Sequence, residues 1–298
     1  MGITPYPAWV CGQLFEPGAP SFDVADEGLL LGLSIFDSLL WDEGCVLFFE
    51  QHMERFESGI RQLGIQWPLP WEPRAAVDEL ILELQRRFGG QLPKALMLRL
   101  TATRGVPGRG ASLAVTVREC DALPAGGVTV ALAGEHKAIG DPVEMIKSTN
   151  RLRNVLAREA GRKLGAWEVL FATTEGDISE GTISNLFAVV PGEGKLRLVT
   201  ADEQRGCLGG IVRSLVIGAI RDEPLEVDGM PVQLEVGRLS RGALEAATEL
   251  FLTNTTQRVI PVKNVLGSSG QLAGQAGSVT RAIAKRIGVL EGHYRLAH

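Results

Sequence analysis

The segment EMIKSTNRLRNVLAREAGRKL, residues 144–164, is the starting point for the fold prediction. In it, Lys147 is followed within a few residues by a helical pattern. Apolar residues recur there at intervals of three and four, which predicts an amphipathic helix over Asn150–Leu164. The predicted apolar face of this helix consists of Leu152, Val155, Leu156, Ala160 and Leu164. Lys147 lies at the junction that leads into the helix.

Outside this segment, helical and strand patterns follow one another in an irregular order. Further helices are predicted over Glu50–Leu63, Pro73–Phe88, Gly210–Arg221, Arg241–Ala247 and Ser278–Ile287. Strands are predicted over Ala8–Phe15, Cys45–Glu50, Ala95–Thr103, Ser112–Arg118, Val128–Leu132, Glu168–Thr173, Asn185–Val190, Leu196–Thr200, Glu249–Leu252 and Val259–Val262. Because strict βαβα alternation is missing, the sequence predicts two α+β domains and not a doubly wound sheet.

Proline and glycine cluster in ECDALPAGG, Glu119–Gly127, where the periodic patterns stop. We therefore predict a smaller N-terminal α/β domain over residues 1–120 and an interdomain linker over 121–127. A larger C-terminal α/β domain would follow over 128–298 and carry Lys147. The glycine-rich stretch RGVPGRGA, Arg104–Ala111, is predicted to be a loop between two strands.

The composition is that of a globular protein with a sizeable core. The 298 residues are 45% hydrophobic and 22% charged, with a net charge of −5. A mildly acidic chain gives no electrostatic reason to expect nucleic acid or an anionic membrane as a partner. No apolar run approaches the ~18–20 residues that span a bilayer. MGITPYPAWV shows no secretory signal and the four cysteines are widely spaced, so we expect a cytoplasmic protein, and with four histidines no zinc site.

Two residues stand out for their chemistry. A lysine kept partly out of water, as Lys147 would be at such a junction, is a nucleophile suited to imine formation. Glu180 lies in GDISEGTISNLF before an apolar strand, and a buried carboxylate there needs a partner, which a protonated pyridine nitrogen would supply. Each has a plainer alternative: a surface lysine before a helix, and an acidic loop residue.

Three features offer groups for one small phosphate. Arg55, in HMERFES, would present a bidentate guanidinium. The helix start at Gly209-Gly210-Ile211-Val212 offers backbone N–H groups and the favourable end of the helix dipole. Thr255 and Thr256 offer hydroxyls and amides in a turn between two strands. A solvated arginine, an ordinary helix start and a polar turn are the alternatives.

These residues lie in six segments that resemble the class IV, fold-type IV pyridoxal-phosphate enzymes. That family contains branched-chain and D-amino-acid aminotransferases and 4-amino-4-deoxychorismate lyase. In chain order the segments are DEGLLLGLSIFDSLL (26–40), HMERFESG (52–59), KSTNRLRNVLAREA (147–160), GDISEGTISNLF (176–187), LGGIVRSLV (208–216) and LTNTTQRVIPV (252–262). The resemblance covers nearly the whole chain. It implies the two-domain fold of D-amino-acid aminotransferases, with pyridoxal 5'-phosphate at the domain interface.

The resemblance also implies a role for each site residue. Lys147 would form the Schiff base with the cofactor and move a proton during the reaction. Glu180 would pair with the pyridine nitrogen, and Leu208 would support one face of the ring. The phosphate would be bound by Arg55, Ile211, Val212, Thr255 and Thr256. The substrate would be contacted by Phe36, Arg99 and Arg109.

Some positions depart from individual branches of the family. Leu152 replaces a tyrosine of the branched-chain enzymes, as in the D-amino-acid and lyase branches. Residues 150–152, NRL, look most like the lyase branch, whereas the two threonines at 255–256 look most like the D-amino-acid branch. Phe36 and Ala111 stand where the D-amino-acid branch has a tyrosine and a histidine. The family motif G-D-G is Gly-Leu-Ser at 32–34.

The arginines leave the substrate open as well. Arg109, in RGVPGRG, matches an arginine that both the D-amino-acid and the lyase branches use for a substrate carboxylate. Arg99, on the preceding strand, is a second candidate for this role, or else a member of a structural ion pair.

Three functions agree with these residues. The leading hypothesis is an aminotransferase that moves an amino group between an amino acid and an α-keto acid. The alternative is 4-amino-4-deoxychorismate lyase, which releases pyruvate and 4-aminobenzoate. The third hypothesis is a non-enzymatic protein that binds the cofactor or a phosphorylated metabolite. The presence of both Lys147 and Glu180 argues against it, because mere phosphate binding needs neither residue. The resemblance further implies a homodimer in which residues of the N-terminal segment reach the partner's site.

Overall fold

The computed structural model describes residues 5–19, 22–267 and 276–298. Contacts divide the chain into two compact units. The first unit comprises the described residues up to Asp121, together with Ile146–Asn150 and His298. The second unit comprises Ala122–Met145 and Arg151–Ala297. By its contacts, Lys147 therefore belongs to the first unit.

The first unit is built on an antiparallel sheet. Its elements are β1 Ala8–Val10, β2 Gln13–Phe15, α1 Glu27–Leu30, β3 Ser34–Asp42, β4 Cys45–Val46, α2 Phe49–Gln62, α3 Pro73–Phe88, β5 Ala95–Val106 and β6 Gly110–Glu119. Within the described residues, the six strands lie in the order β2-β1-β6-β5-β3-β4. Ile35, Leu39 and Trp41 on β3 belong to the core cluster that α2 and α3 also enter. Because neighbouring strand residues point to opposite faces, Phe36 lies on the other side of the sheet.

The limits of α3 follow from its sequence. Pro73 occupies the first turn, where its missing N–H costs nothing. The Glu72 carboxylate caps this end by accepting a hydrogen bond from the Ala75 N–H at 2.6 Å. The helix ends before Gly89, which has a positive φ of 49°. The predicted bounds of this helix are confirmed, although Leu82 is 66% exposed.

The second unit contains a mixed sheet. Its elements are β7 Val128–Lys137, α4 Pro142–Met145, α5 Leu152–Lys163, β8 Glu168–Thr173, β9 Ile178–Gly181, β10 Asn185–Gly192, β11 Lys195–Ala201, α6 Ile211–Asp222, β12 Leu225–Val227, β13 Met230–Gly237, α7 Arg241–Ala246, β14 Glu249–Asn254, β15 Arg258–Val265 and α8 Ser278–Ala297. In the described part of the unit, the strand order is β12-β13-β11-β10-β14-β15-β7-β8-β9. The β11–β13, β15–β7 and β7–β8 pairs are parallel and the others antiparallel. The predicted α+β class is confirmed.

Helix α5 turns the opposite face to the sheet from the one predicted. Its buried residues are Asn154, Ala157 and Gly161. The residues predicted as the apolar face are exposed instead: Leu152 is 70%, Val155 48%, Leu156 54% and Leu164 69% exposed. The reason is the close approach of the helix to β8, since a Cβ on Gly161 would lie 2.2 Å from Cγ2 of Val169. Only small side chains fit on this side.

Two other predictions need correction. The strand predicted over Cys45–Glu50 is only the two-residue β4, because α2 already begins at Phe49. The loop predicted over Arg104–Ala111 is shorter, since β5 and β6 extend into it and leave residues 107–109 as the turn. Strands β3, β9, β12 and β13 were not predicted. None of the described helices combines the length and apolar character needed to cross a membrane.

Candidate active site

Lys147 is held beside β3 by main-chain hydrogen bonds. The Phe36 N–H donates to the Lys147 carbonyl at 3.0 Å, and the Thr149 N–H donates to the Ser34 carbonyl at 3.1 Å. The hydroxyls of Ser34 and Thr149 also contact each other. The segment that contains the lysine is therefore an extra, short edge partner of β3.

The Phe36 ring brings two cationic side chains together. The Arg99 Cζ lies 3.6 Å from the ring centroid, and the Lys147 Nζ lies 4.7 Å from it. Phe36 is buried, whereas Arg99 and Lys147 are half-buried. Cations over an aromatic face are stabilised by its negative potential. Three residues that the sequence predicted for substrate and cofactor thus meet at one ring.

Arg55 lies on the helix-covered side of β3, in a network with Asp37 and His52. Its Nε donates to Asp37 Oδ2 at 2.9 Å, and its Nη2 donates to Asp37 Oδ1 at 2.6 Å. His52 Nδ1 lies 2.8 Å from the same Oδ1, and Asp37 and His52 are both buried. The sequence predicted Arg55 but neither of these partners, although all three lie in the quoted motifs.

The charge states in this network follow from burial and pairing. Burial alone would raise the pKa of Asp37, but the charge of Arg55 and the hydrogen bonds of His52 and Arg55 outweigh it and hold that pKa well below its usual range. Burial lowers the pKa of His52, against the opposing pull of Asp37. Asp37 is therefore a carboxylate that fixes the direction of the Arg55 guanidinium.

Arg109 lies in the turn between β5 and β6. Its side chain is 74% exposed, and its Nη1 donates to Asp23 Oδ2 at 3.0 Å. An ion pair this exposed is weak, at about 0–1 kcal/mol. The structure thus leaves Arg109 able to exchange its partner.

In the second unit, Glu180 accepts hydrogen bonds from three residues. Its Oε1 takes one from Lys137 Nζ at 2.5 Å. Its Oε2 takes one from the Leu208 N–H at 2.9 Å and one from Asn185 Nδ2 at 3.1 Å. Glu180 is 4% exposed, so the predicted inward-facing carboxylate is present. Sequence reasoning missed Lys137 entirely, since nothing in GEHKAIG marks this lysine as buried.

The start of α6 is shaped by glycine. The helix begins after Gly210 without a side-chain cap. A Cβ on Gly210 would lie 2.0 Å from Asn185 Oδ1, and one on Gly209 would lie 2.8 Å from Glu203 Oε1. Gly210 thus lets the chain pass closely beside Asn185, a partner of Glu180, and Gly209 lets it pass beside Glu203. The amides of Ile211 and Val212 form the first turn.

The predicted threonine turn connects β14 and β15. Asn254 Oδ1 accepts a hydrogen bond from the Gln257 N–H at 2.8 Å, which closes the turn. The Thr256 hydroxyl donates to Gln257 Oε1 at 2.6 Å, and both threonines are half-buried. The turn therefore carries two threonine hydroxyls, of which that of Thr256 is hydrogen-bonded within the turn.

Several polar groups of the second unit fit a phosphorylated pyridine. Among the described residues, Ser179 Oγ, Thr253 Oγ1 and Arg213 Nε are buried and lack a hydrogen-bond partner. Buried polar groups are normally paired, and these three groups have hydrogen bonds to offer to a ligand. An uncapped helix start suits a phosphate, and Glu180 suits a protonated pyridine nitrogen. The residues therefore fit pyridoxal 5'-phosphate.

Comparison with known proteins agrees with this reading. The sequence model of the family "amino-transferase class IV" matches residues 34–265. A putative branched-chain-amino-acid aminotransferase of Methanocaldococcus jannaschii is 27% identical over 292 residues, which cover 93% of each chain. Aminodeoxychorismate lyase of Bacillus subtilis is 26% identical over 290 residues, again 93% of each chain.

A solved structure shows the same fold. The branched-chain aminotransferase of Thermoproteus uzoniensis, in a crystal structure with norvaline, is similar with a TM-score of 0.79. It is 25% identical, and the similarity covers 96% of this chain and 95% of that one. With the family match over most of its length, the chain belongs to the class IV aminotransferases and is a pyridoxal-phosphate-dependent enzyme of that family.

Proposed function

We propose that this protein moves an amino group between an α-amino acid and an α-keto acid, with Lys147 as the lysine that holds pyridoxal phosphate. The supporting observation is the Phe36 ring, which has the Arg99 guanidinium at 3.6 Å and the Lys147 amine at 4.7 Å from its centroid. An α-amino acid carries its carboxylate on the carbon that bears its amino group. A guanidinium and an amine that both lie over the same ring therefore suit this substrate class.

Each residue set has its own task in this proposal. Bound pyridoxal phosphate supplies an electron sink for the negative charge that develops on the substrate carbon. The Lys147 Nζ holds the cofactor and carries a proton from and to that carbon. Glu180 binds the pyridine nitrogen, and Leu208 supports the ring. The phosphate is bound by Arg55, Ile211, Val212, Thr255 and Thr256.

The network around Asp37 prepares Arg55 for the phosphate. Asp37 engages two guanidinium nitrogens of Arg55, so the side chain is oriented before the ligand arrives. Preorganisation of this kind lowers the entropy cost of binding. In this proposal Asp37 therefore supports phosphate binding by holding the Arg55 guanidinium in place.

We further propose that Arg109 binds a substrate carboxylate in exchange for Asp23. The weak, exposed Arg109–Asp23 pair supports this role. Arg109→Ala should raise KM for the substrate severalfold and leave cofactor affinity unchanged. A loss of cofactor affinity with unchanged KM would assign Arg109 another task.

We also propose that the protein is a cytoplasmic homodimer. In the first unit, Leu29, Leu30 and Leu31 are 63–67% exposed in a row. In the second unit, Leu152, Val155 and Leu156 are exposed along one side of α5, which we call its leucine face. Exposed apolar residues in such groups are typical of protein interfaces. All four cysteines are free thiols, which suits a reducing compartment.

The absorbance spectrum of the purified holoenzyme tests the reaction. D-alanine, D-glutamate, L-glutamate and L-leucine are added one at a time, and then aminodeoxychorismate. Conversion of the cofactor band to that of pyridoxamine phosphate by one amino acid supports the aminotransferase. If no amino acid changes the band and aminodeoxychorismate releases pyruvate, the protein is a lyase instead.

Variants at Arg99 test the carboxylate contact. Arg99→Gln should slow the half-reaction with the responsive amino acid at least about tenfold, since a charge-assisted hydrogen bond is lost. The decarboxylated amine of the same donor, which has no carboxylate, should react equally with both proteins. Arg118→Gln, at another arginine of the same sheet, is the control. Equal losses with the amino acid and the amine would contradict the proposed contact.

A further inference from the structure

Lys137 ends β7, and its side chain is 1% exposed. Its Nζ lies 2.5 Å from Glu180 Oε1, 3.0 Å from the Gly206 carbonyl oxygen and 3.1 Å from Glu144 Oε2. An ammonium has three N–H donors, and these three oxygens match them. These three oxygens therefore account for all three donors of the Lys137 side chain.

The second carboxylate near Lys137 has a cation of its own. Arg153 Nη1 lies 2.6 Å from Glu144 Oε1 and is 42% exposed. Two cations thus face two carboxylates, so Lys137 pairs with Glu180 while Arg153 also pairs with Glu144. A carboxylate taken out of water is stable as an anion only when it is paired in this way.

The contacts of Glu180 also fix its direction. Lys137 holds Oε1, while the Leu208 N–H and Asn185 Nδ2 hold Oε2. Lys137 supplies the charge-assisted bond of the three, which is the strongest type. Without it, Glu180 would lose both its counter-ion and one of its anchors. A carboxyl group that became protonated would offer a donor where a pyridinium N–H also needs an acceptor.

We propose that Lys137 is a positioning residue of the active site: it holds Glu180 as an oriented carboxylate, so that the pyridine nitrogen of the cofactor binds in its protonated form. The inference rests on the proposed function only in that pyridoxal phosphate binds at Glu180. Lys137 touches neither substrate nor cofactor in this role and acts through Glu180.

The test uses the full-length protein loaded with pyridoxal phosphate that carries a nitrogen isotope label in its ring. Magnetic resonance of the label reports whether the ring nitrogen is protonated, and a fluorescence titration gives the dissociation constant. Lys137→Met removes the charge at nearly constant volume, and Lys137→Arg retains it. Lys285→Met, at an exposed position of α8, is the control.

We expect Lys137→Met to shift the label toward the unprotonated signal and to raise the dissociation constant about tenfold or more, since a buried pair is broken. Lys137→Arg should restore both readouts, and Lys285→Met should match the wild type. If Lys137→Met does not fold, Lys137→Gln takes its place, because it keeps a donor without the charge.

Two results would overturn the inference. One is a folded, uncharged variant with the wild-type nitrogen signal and affinity. The other is a variant that lowers only the melting temperature, which would make Lys137 a structural counter-ion. Failure of the proposed reaction is recognised separately, because the label reports on cofactor binding even where no amino donor reacts.

Discussion

Glu168 and Thr182 are joined by two hydrogen bonds, since the Thr182 N–H and hydroxyl both donate to Glu168 Oε1, at 3.0 and 2.5 Å. Glu168 also accepts from its neighbour Val169, from the Ile183 N–H and from the Ser184 hydroxyl, and it is fully buried. One carboxylate therefore shapes the loop that directly follows Glu180.

Glu168→Ala should lower the free energy of unfolding by about 3 kcal/mol or more, because it leaves several buried donors without an acceptor. Chemical denaturation followed by circular dichroism measures this change. Glu226→Ala, at an exposed position of β12, should change stability by less than about 0.5 kcal/mol. Similar effects of the two substitutions would show that the Glu168 contacts carry little energy.

Two helical glycines should respond in opposite directions to alanine. Gly161→Ala would place Cβ 2.2 Å from Val169 Cγ2, so we expect a loss of about 1–3 kcal/mol from overpacking. Gly218, inside α6, has open space where a Cβ would be, so Gly218→Ala should gain about 0.5–1 kcal/mol from helix propensity. Thermal unfolding of both variants measures the difference. A stabilising Gly161→Ala would contradict the close packing of α5 on β8.

His52 should make the protein less stable in mild acid. Burial lowers its pKa below the ordinary 6.5, so below pH 6.5 the unfolded chain binds a proton that the native chain does not. The free energy of unfolding therefore falls as the pH drops from 6.5 toward the lowered pKa, by up to about 1.4 kcal/mol per pH unit. The contribution of Asp37, whose pKa is also lowered, is lost only at still lower pH, below the ordinary 3.8.

Urea denaturation across this pH range measures the slope. His52→Gln should flatten it, whereas His293→Gln, at the exposed surface of α8, should leave it unchanged. An unaltered slope in His52→Gln would mean that other groups cause the acid sensitivity.

The leucine face of α5 should govern the oligomeric state. Leu156→Glu places a charge in the proposed interface and should shift the protein toward monomers. Leu296→Glu, at a leucine of α8 that is 89% exposed, is the matched control. Sedimentation of both variants at one concentration distinguishes them. A monomeric wild type, or an unchanged Leu156→Glu dimer, would rule out this face.

Local patterns predicted those parts of the fold that depend on local interactions. Helix α3 was predicted with its exact bounds, since its proline start and apolar spacing act within the helix itself. The orientation of α5 was predicted wrongly because its partner β8 admits only Ala157 and Gly161 at close range. That constraint comes from tertiary packing and overrides the apolar periodicity.

The site divides in the same way. The family resemblance covered Lys147, Glu180 and Arg55, because their motifs are contiguous. Lys137 was not predicted, because its partners Glu180 and Gly206 lie 43 and 69 residues away in the chain. A buried lysine has no signature in sequence when the charges that stabilise it are distant.

The main-chain hydrogen bond between Phe36 and Lys147 makes the position of the lysine independent of the side chain at position 36. Peptide atoms hold the lysine, so its place does not depend on which side chain position 36 carries. If Lys147 holds the cofactor as proposed, the Phe36 ring contacts the same amine, and the main-chain hydrogen bond of Lys147 needs no particular side chain at position 36. Under the proposed roles of these two residues, position 36 can change with the substrate while the main chain of Lys147 keeps its place, which suits a family whose members catalyse more than one reaction.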